Sequence, residues 1–203
     1  MGLFNWFTQE IAIDLGTANT LIIHNDEVVV NEPSIIALNR NNPKEVLAVG
    51  KKALMMHEKT HESIRTVRPL KDGVIADVNA AELMIRELIK LVYPKKKLFP
   101  PSWRMMICIP SSITEVEKRA VRDSAEQAGA KEVYLIHEPM AAALGIGIDV
   151  EEPVGNMIID IGGGTTGITV IALAGIVCAQ SIRIAGDEFT ADIMEALRRY
   201  HSL

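Results

Sequence analysis

The chain has 203 residues, with 21 basic and 26 acidic side chains and a formal net charge of −5. With 48% apolar and 23% charged residues it is no disordered chain, and its acidic balance argues against bulk nucleic-acid binding, which needs a basic face. Two cysteines, Cys108 and Cys178, exclude a disulfide scaffold or a cysteine-rich zinc site. Each sits in an apolar run, reads as a core residue and suits a reducing compartment. No apolar run reaches the roughly 18 residues of a membrane-spanning helix, and no basic region precedes an apolar core at the N-terminus.

The first ten residues stand apart, because Leu3, Phe4, Trp6 and Phe7 crowd apolar side chains at the end of the chain. Ile11-Ala12-Ile13 reads as a strand, Asp14-Leu15-Gly16-Thr17-Ala18-Asn19-Thr20 as a polar turn with its flanks, and Leu21-Ile22-Ile23 as the returning strand. Residues 28–38 and 46–49 read as short strands around the turn-rich stretch 39–44. Asn79-Ala80-Ala81-Glu82 reads as an N-cap with a reciprocal acid, opening a helix to Val92. A proline-rich loop follows, then a buried strand at 105–109. Thr114-Glu115-Val116-Glu117 repeats the capping pattern and opens a helix that stops at Gly129. A strand at 133–136 leads into Glu138-Pro139, which opens an alanine-rich helix with proline at a tolerated first-turn position.

After Pro153-Val154-Gly155, which reads as a joint, the opening pattern returns. An apolar strand ends in Asp160-Ile161-Gly162-Gly163-Gly164-Thr165-Thr166 and leads into Ile168-Thr169-Val170-Ile171. Asp14 matches Asp160, Gly16 matches Gly162 and Thr20 matches Thr166, at a constant separation of 146 residues. That is the signature of an internal duplication, and the strands and helices between the copies indicate an α/β architecture. Each turn offers glycines that let a ligand approach the backbone, exposed N–H groups and hydroxyl donors for phosphate oxygens. Each also carries an aspartate suited to a hydrated magnesium ion. A single such turn reads more readily as an ordinary polar hairpin tip, since glycine turns are common. Two in register favour a pair that clamps a nucleotide's phosphates. The P-loop motif does not occur.

The two turns resemble the first and second phosphate loops of the actin, sugar-kinase and heat-shock-chaperone ATPase superfamily. His137-Glu138-Pro139-Met140-Ala141-Ala142-Ala143 resembles its connecting helix. Within the superfamily, the chain is similar along its whole length to the MreB family of bacterial actin homologues, including residues 68–77 and 181–187. The resemblance implies an actin-like ATPase fold of duplicated, ribonuclease H-like domains. Residues 1–31 and 78–153 would form the first large subdomain, 32–77 a small inserted one, and 154–203 an incomplete second large subdomain. It implies ATP and Mg2+ as cofactors. Asp14 and Asp160 would hold the metal, mostly through water; Gly16, Thr17, Ala18 and Asn19 would contact phosphates from one side. Gly162, Gly163, Gly164, Thr165 and Thr166 would contact them from the other. Glu138 would orient the attacking water, aided by Thr165 or Thr166; read from its residues alone, it is a helix N-terminal acid stabilised by the dipole.

The implied function is a cell-shape protein of the cytoplasm whose ATP-dependent filaments lie at the inner face of the cell membrane and organise wall synthesis. Its partners would be further copies of itself, the membrane surface and the wall-synthesis machinery, with no nucleic acid. Two departures from the family are expected to matter. Gly167 stands where glutamate is usual, and the chain stops before the rest of the second half, including an adenosine-contacting motif. Nucleotide binding should then be much weaker than in an intact member, and hydrolysis is doubtful. A sugar-kinase-like phosphotransferase or a non-catalytic remnant are the alternatives. Against the former, the inserted segment looks short and strand-poor.

Two further patterns read both ways. His57-Glu58-Lys59-Thr60-His61 fits the H-E-x-x-H zinc motif, but its charge suits a solvated helix face better. Phe4, Trp6 and Phe7, with Lys95-Lys96-Lys97 beside Leu98-Phe99, could dip into an anionic membrane surface, or the aromatics could pack on a neighbouring element. The family resemblance favours the membrane.

Overall fold

The computed structural model describes residues 8–57, 59, 62–92 and 102–203. Phe4, Trp6, Phe7, Leu98, Phe99 and the three lysines before them fall outside these, as do Glu58 and His61. By packing, the chain divides into two units. One runs up to Ile109 and takes in Ile113–Ile136; the other comprises Pro110–Ser112 and His137–Leu203.

The first unit is built on a five-stranded sheet. Strands β1 (Thr8–Leu15), β2 (Asn19–His24) and β3 (Glu27–Pro33) form an antiparallel meander, and β9 (Ser102–Ile109) adds to the free side of β1 in parallel, followed by β10 (Ala130–His137). Strict alternation on β1 and β9 buries Ile11, Ile13, Leu15, Trp103, Met105, Ile107 and Ile109 on one face. Helix α2 (Val78–Val92) brings Met84, Ile85 and Leu88 into the same core, and α3 (Glu115–Gln127) brings Val121 and Ala125. Each fully buried aliphatic side chain contributes about 1.5–3 kcal/mol. The polar face of α2 is laced by Glu82–Arg86 and Glu87–Lys90 pairs. Helix α3 starts with the expected capping box, Thr114 and Glu117 bonding reciprocally, and Gly129 follows it at φ +110°, as its stop signal requires. The cap of α2 is not Asn79: the Asp77 carboxylate accepts the Ala80 N–H at 3.0 Å, so the helix begins earlier.

The stretch 28–38 is two strands rather than one. It breaks at Ser34-Ile35, and β4 (Ile36–Asn39) joins a separate sheet, in the order β5 (Asn42–Val49), β4, β6 (Ile64–Val67). Helix α1 (Lys51–Met56) covers that sheet over Ile35, Ala37 and Ala53. A two-residue hairpin, β7 (Leu70–Lys71) and β8 (Val74–Ile75), turns through Asp72 and Gly73, both at positive φ. The inserted segment is therefore strand-rich, against the sequence expectation. Short strands interrupted by turn residues carry too little periodicity to be read reliably.

The second unit repeats the meander as β11 (Asn156–Ile161), β12 (Thr166–Ala172) and β13 (Gly175–Ile182), with α5 (Gly186–His201) after it. Helix α4 (Glu138–Gly145) starts at Glu138 with Pro139 in its first turn, as expected. It packs Ala143 with Val150, Ile158 and Ile171, and so keeps company with the second unit. Cys108 is half-buried, whereas Cys178 is exposed on β13, contrary to its reading as a core residue. The apolar neighbours that suggested a core lie on an outer strand with one open face.

Candidate functional site

The two phosphate-loop candidates are hairpin turns of identical register. Across the first, Asp14 pairs with Leu21 and Leu15 with Thr20; across the second, Asp160 pairs with Gly167 and Ile161 with Thr166. Each aspartate therefore ends its strand at the same place relative to a four-residue turn. The duplication read from the letters is a duplication of backbone pairing.

The first turn is braced from behind. Ser34 Oγ donates to the Gly16 carbonyl at 2.6 Å, and this uses its only proton. The 2.9 Å contact between Thr20 Oγ1 and Ser34 Oγ therefore has Thr20 as the donor. Ser34 N–H donates to the Ala18 carbonyl at 2.9 Å. Gly73 N–H, from the β7–β8 turn, donates to Thr17 Oγ1 at 3.0 Å, which leaves the Thr17 proton available to an outside acceptor. Gly16 itself admits no side chain: a Cβ there would lie 2.7 Å from the Asn19 carbonyl oxygen. Asp14 and Ala18 are half-buried, Thr17 is buried and Asn19 is exposed.

The second turn is braced differently. Gly162 N–H donates to the Thr165 carbonyl at 2.9 Å, closing the turn. The first two N–H groups of α5 donate to it as well, Gly186 to the Gly162 carbonyl at 3.1 Å and Asp187 to the Gly163 carbonyl at 2.8 Å. The fit is close at Gly186, where a Cβ would sit 3.2 Å from the Gly162 oxygen. Thr166 Oγ1 donates to the Ile184 carbonyl at 2.7 Å, so between the two threonines it is Thr165 whose proton is uncommitted to this brace. Asp160 is half-buried, and Gly167, its partner across the hairpin, leaves open space where a side chain would be.

Glu138 is the first residue of α4, half-buried, where the helix N-terminus favours a negative charge. The ring of His137, just before it, donates from Nδ1 to the Pro110 carbonyl at 3.3 Å and fixes the entry to the helix. The histidine pair of the zinc motif fares otherwise. Helix α1 ends at Met56, and His57, the first residue of the motif, follows it with an extended ψ of 136°. His57 Nδ1 instead bonds Thr66 Oγ1 at 2.8 Å, and no metal-holding group of three acids, histidines or cysteines occurs among the described residues.

Ser34 and Gly73 escaped the sequence reading as parts of the first loop, as did Ile184–Asp187 for the second. The signal available for Ser34 was its place after Asn31-Glu32-Pro33, a polar, proline-containing break in the stretch 28–38.

A family model described as MreB/Mbl protein matches residues 8–203. The "Cell shape-determining protein MreB" of Escherichia coli is 48% identical over 202 residues, covering 97% of this chain and 58% of that relative. Among solved structures, MreB5 of Spiroplasma citri bound to ADP superposes with a TM-score of 0.84 at 40% identity, covering 97% of this chain and 58% of that one. The same protein bound to AMPPNP gives 0.83 at 41%, covering 96% and 58%. The chain thus spans well under two thirds of the length of these relatives. The duplicated, register-matched hairpins and the five-stranded order β3-β2-β1-β9-β10 are those of an actin-like fold, and the chain belongs to the MreB/Mbl family.

Proposed function

We propose that the chain is a nucleotide-binding, actin-like protein of cell-shape determination that takes ATP with Mg2+. The observation that carries this reading is the identical register of the two hairpins, which puts an aspartate, a glycine and a threonine at equivalent places twice in one chain. The relatives lend it support: one is named for cell shape, and the solved MreB5 structures hold ADP and AMPPNP.

In this proposal Gly16, Thr17, Ala18 and Asn19 receive phosphate oxygens on backbone N–H groups and the Thr17 hydroxyl, and Gly162, Gly163, Gly164, Thr165 and Thr166 do so from the second loop. Asp14 and Asp160, the only carboxylates within the two turns and their flanks, suit a hydrated divalent cation better than direct contact with phosphate. A metal held there would neutralise charge on the phosphates. Glu138 orients a water for attack on the terminal phosphorus, a role that needs positioning more than covalent chemistry.

Further copies of the chain as filament partners, a cytoplasmic site, contact with the inner membrane surface and contact with the wall-synthesis machinery belong to the same proposal. One feature supports a membrane-facing end. Thr8 and Ser102 are register partners on β1 and β9, so the aromatic segment 1–7 and the lysine-rich, apolar segment 93–101 lead into adjacent strands from the same end of the sheet. Among the described residues no helix is long and apolar enough to cross a membrane, and the contact proposed is with the membrane surface.

Sedimentation with ATP and anionic liposomes tests the combination. Pelleting that requires both is expected. Pelleting with lipid and no response to nucleotide would reduce the chain to a membrane-binding remnant, and sugar-stimulated hydrolysis would make it a kinase.

A further inference from the structure

Thr20 and Thr166 are equivalent in the two repeats, and their hydroxyl protons have the same task. Each donates to the segment that follows the third strand of its own meander: Thr20 Oγ1 to Ser34 Oγ at 2.9 Å, just past β3, and Thr166 Oγ1 to the Ile184 carbonyl at 2.7 Å, just past β13. In each repeat that segment then holds carbonyls of the turn. Ser34 reaches Gly16 through its hydroxyl at 2.6 Å and Ala18 through its N–H at 2.9 Å. In the second repeat Gly186 and Asp187 reach Gly162 and Gly163 through their N–H groups, at 3.1 and 2.8 Å.

Holding a carbonyl aims the next amide. A trans peptide unit is planar with its C=O and N–H on opposite sides, and no peptide bond among the described residues is cis. Drawing the Gly16 and Ala18 carbonyls toward Ser34 therefore turns the N–H groups of Thr17 and Asn19 away from it. Holding the Gly162 and Gly163 carbonyls does the same for the N–H groups of Gly163 and Gly164. All four belong to the donors that the proposed nucleotide site offers to phosphate oxygens. In the first repeat the bonds run in series, from Thr20 through Ser34 to Gly16, so each strengthens the next. Thr20 and Ser34 are 1% and 0% exposed, so water replaces neither partner. Ser34 has a single hydroxyl proton, and the donation it accepts from Thr20 leaves that proton for Gly16.

We infer that Ser34 is the positioning residue of the first loop, keyed by Thr20, and that the Thr166 hydroxyl keys the second loop in the same way instead of contacting phosphate. This role rests on the proposed nucleotide site for its ligand, whereas the brace itself is measurable without one.

Amide hydrogen exchange in the nucleotide-free chain reads the brace, and calorimetric titration with ADP and Mg2+ reads its effect. In Ser34→Ala the amides of residue 34 and Gly73, which donate to the loop at Ala18 and Thr17, should exchange at least about tenfold faster, while those of the β1–β9 ladder keep the parent's rate. Affinity for ADP should fall by at least about tenfold. The same variant leaves the Thr20 hydroxyl buried without its acceptor, so adding Thr20→Val should restore part of the lost melting temperature and none of the affinity. Thr166→Val should speed exchange at Gly186 and Asp187 with no nucleotide present, which loss of a phosphate contact alone does not do. Parent-like exchange in Ser34→Ala or in Thr166→Val would overturn the role given to that loop's hydroxyl. Affinity that returns together with melting in the double variant would overturn the positioning role of Ser34. If the parent binds no ADP the nucleotide site fails, and the exchange rates alone then uphold or overturn the brace.

Discussion

Gly16 shows how closely a single residue can be specified. A methyl group there would meet the Asn19 carbonyl oxygen at 2.7 Å, and that atom is backbone, so the turn itself would have to shift. Gly16→Ala should therefore weaken nucleotide binding by at least tenfold, at a stability cost of about 1–3 kcal/mol, measurable by fluorescent-nucleotide titration beside thermal melting. A different kind of specification ties three strands together. Arg104 on β9 donates to Glu10 on β1 at 2.6 Å and to Glu132 on β10 at 2.9 Å, and the Tyr134 hydroxyl adds a 3.1 Å bond to Glu132. The bond from Arg104 first, then that from Tyr134, holds the Glu132 carboxyl below its ordinary value of 4.5. Because the folded-state value is the depressed one, the stabilisation is present above that ordinary value and is lost as pH falls through the folded-state value. The melting temperature of Arg104→Met should lie below that of the parent at neutral pH, and the gap should close in acid. A gap independent of pH would mean that the loss is one of packing alone.

At the scale of elements, burial decides what forms and where it lies. Ile107 is fully buried on β9, between the strand pairing with β1 and the helices above, and Ile107→Ala should cost about 3 kcal/mol by chemical denaturation. Long, strongly periodic elements such as α2, α3, β1 and β9 were legible in the letters, since burying one face leaves a period that survives reading. What was not legible came from contacts distant in sequence. The strand read at 28–38 splits because Ser34 turns inward to Gly16 and Ala18, eighteen and sixteen residues earlier. His57 falls outside a helix because α1 stops at Met56, which no residue in the motif itself signals. Asp77 displaces Asn79 as a cap by one hydrogen bond, and either residue type satisfies the same rule.

For the whole molecule, the internal repeat governs everything else. The aspartates and glycines of the two turns could be matched by eye, and the registers Asp14–Leu21 and Asp160–Gly167 show the match to be structural. The bracing of the turns could not be foreseen, because Ser34, Gly73 and the start of α5 reach the loops only through the fold. Calorimetric titration of the full chain with ADP, in the presence and absence of Mg2+, tests the proposed use of both hairpins in binding a magnesium-nucleotide. Saturable, magnesium-dependent binding is expected, which either Asp14→Asn or Asp160→Asn alone reduces by at least tenfold, with melting unchanged. Magnesium-dependent binding that survives either substitution, or none at all in the parent chain, would contradict it.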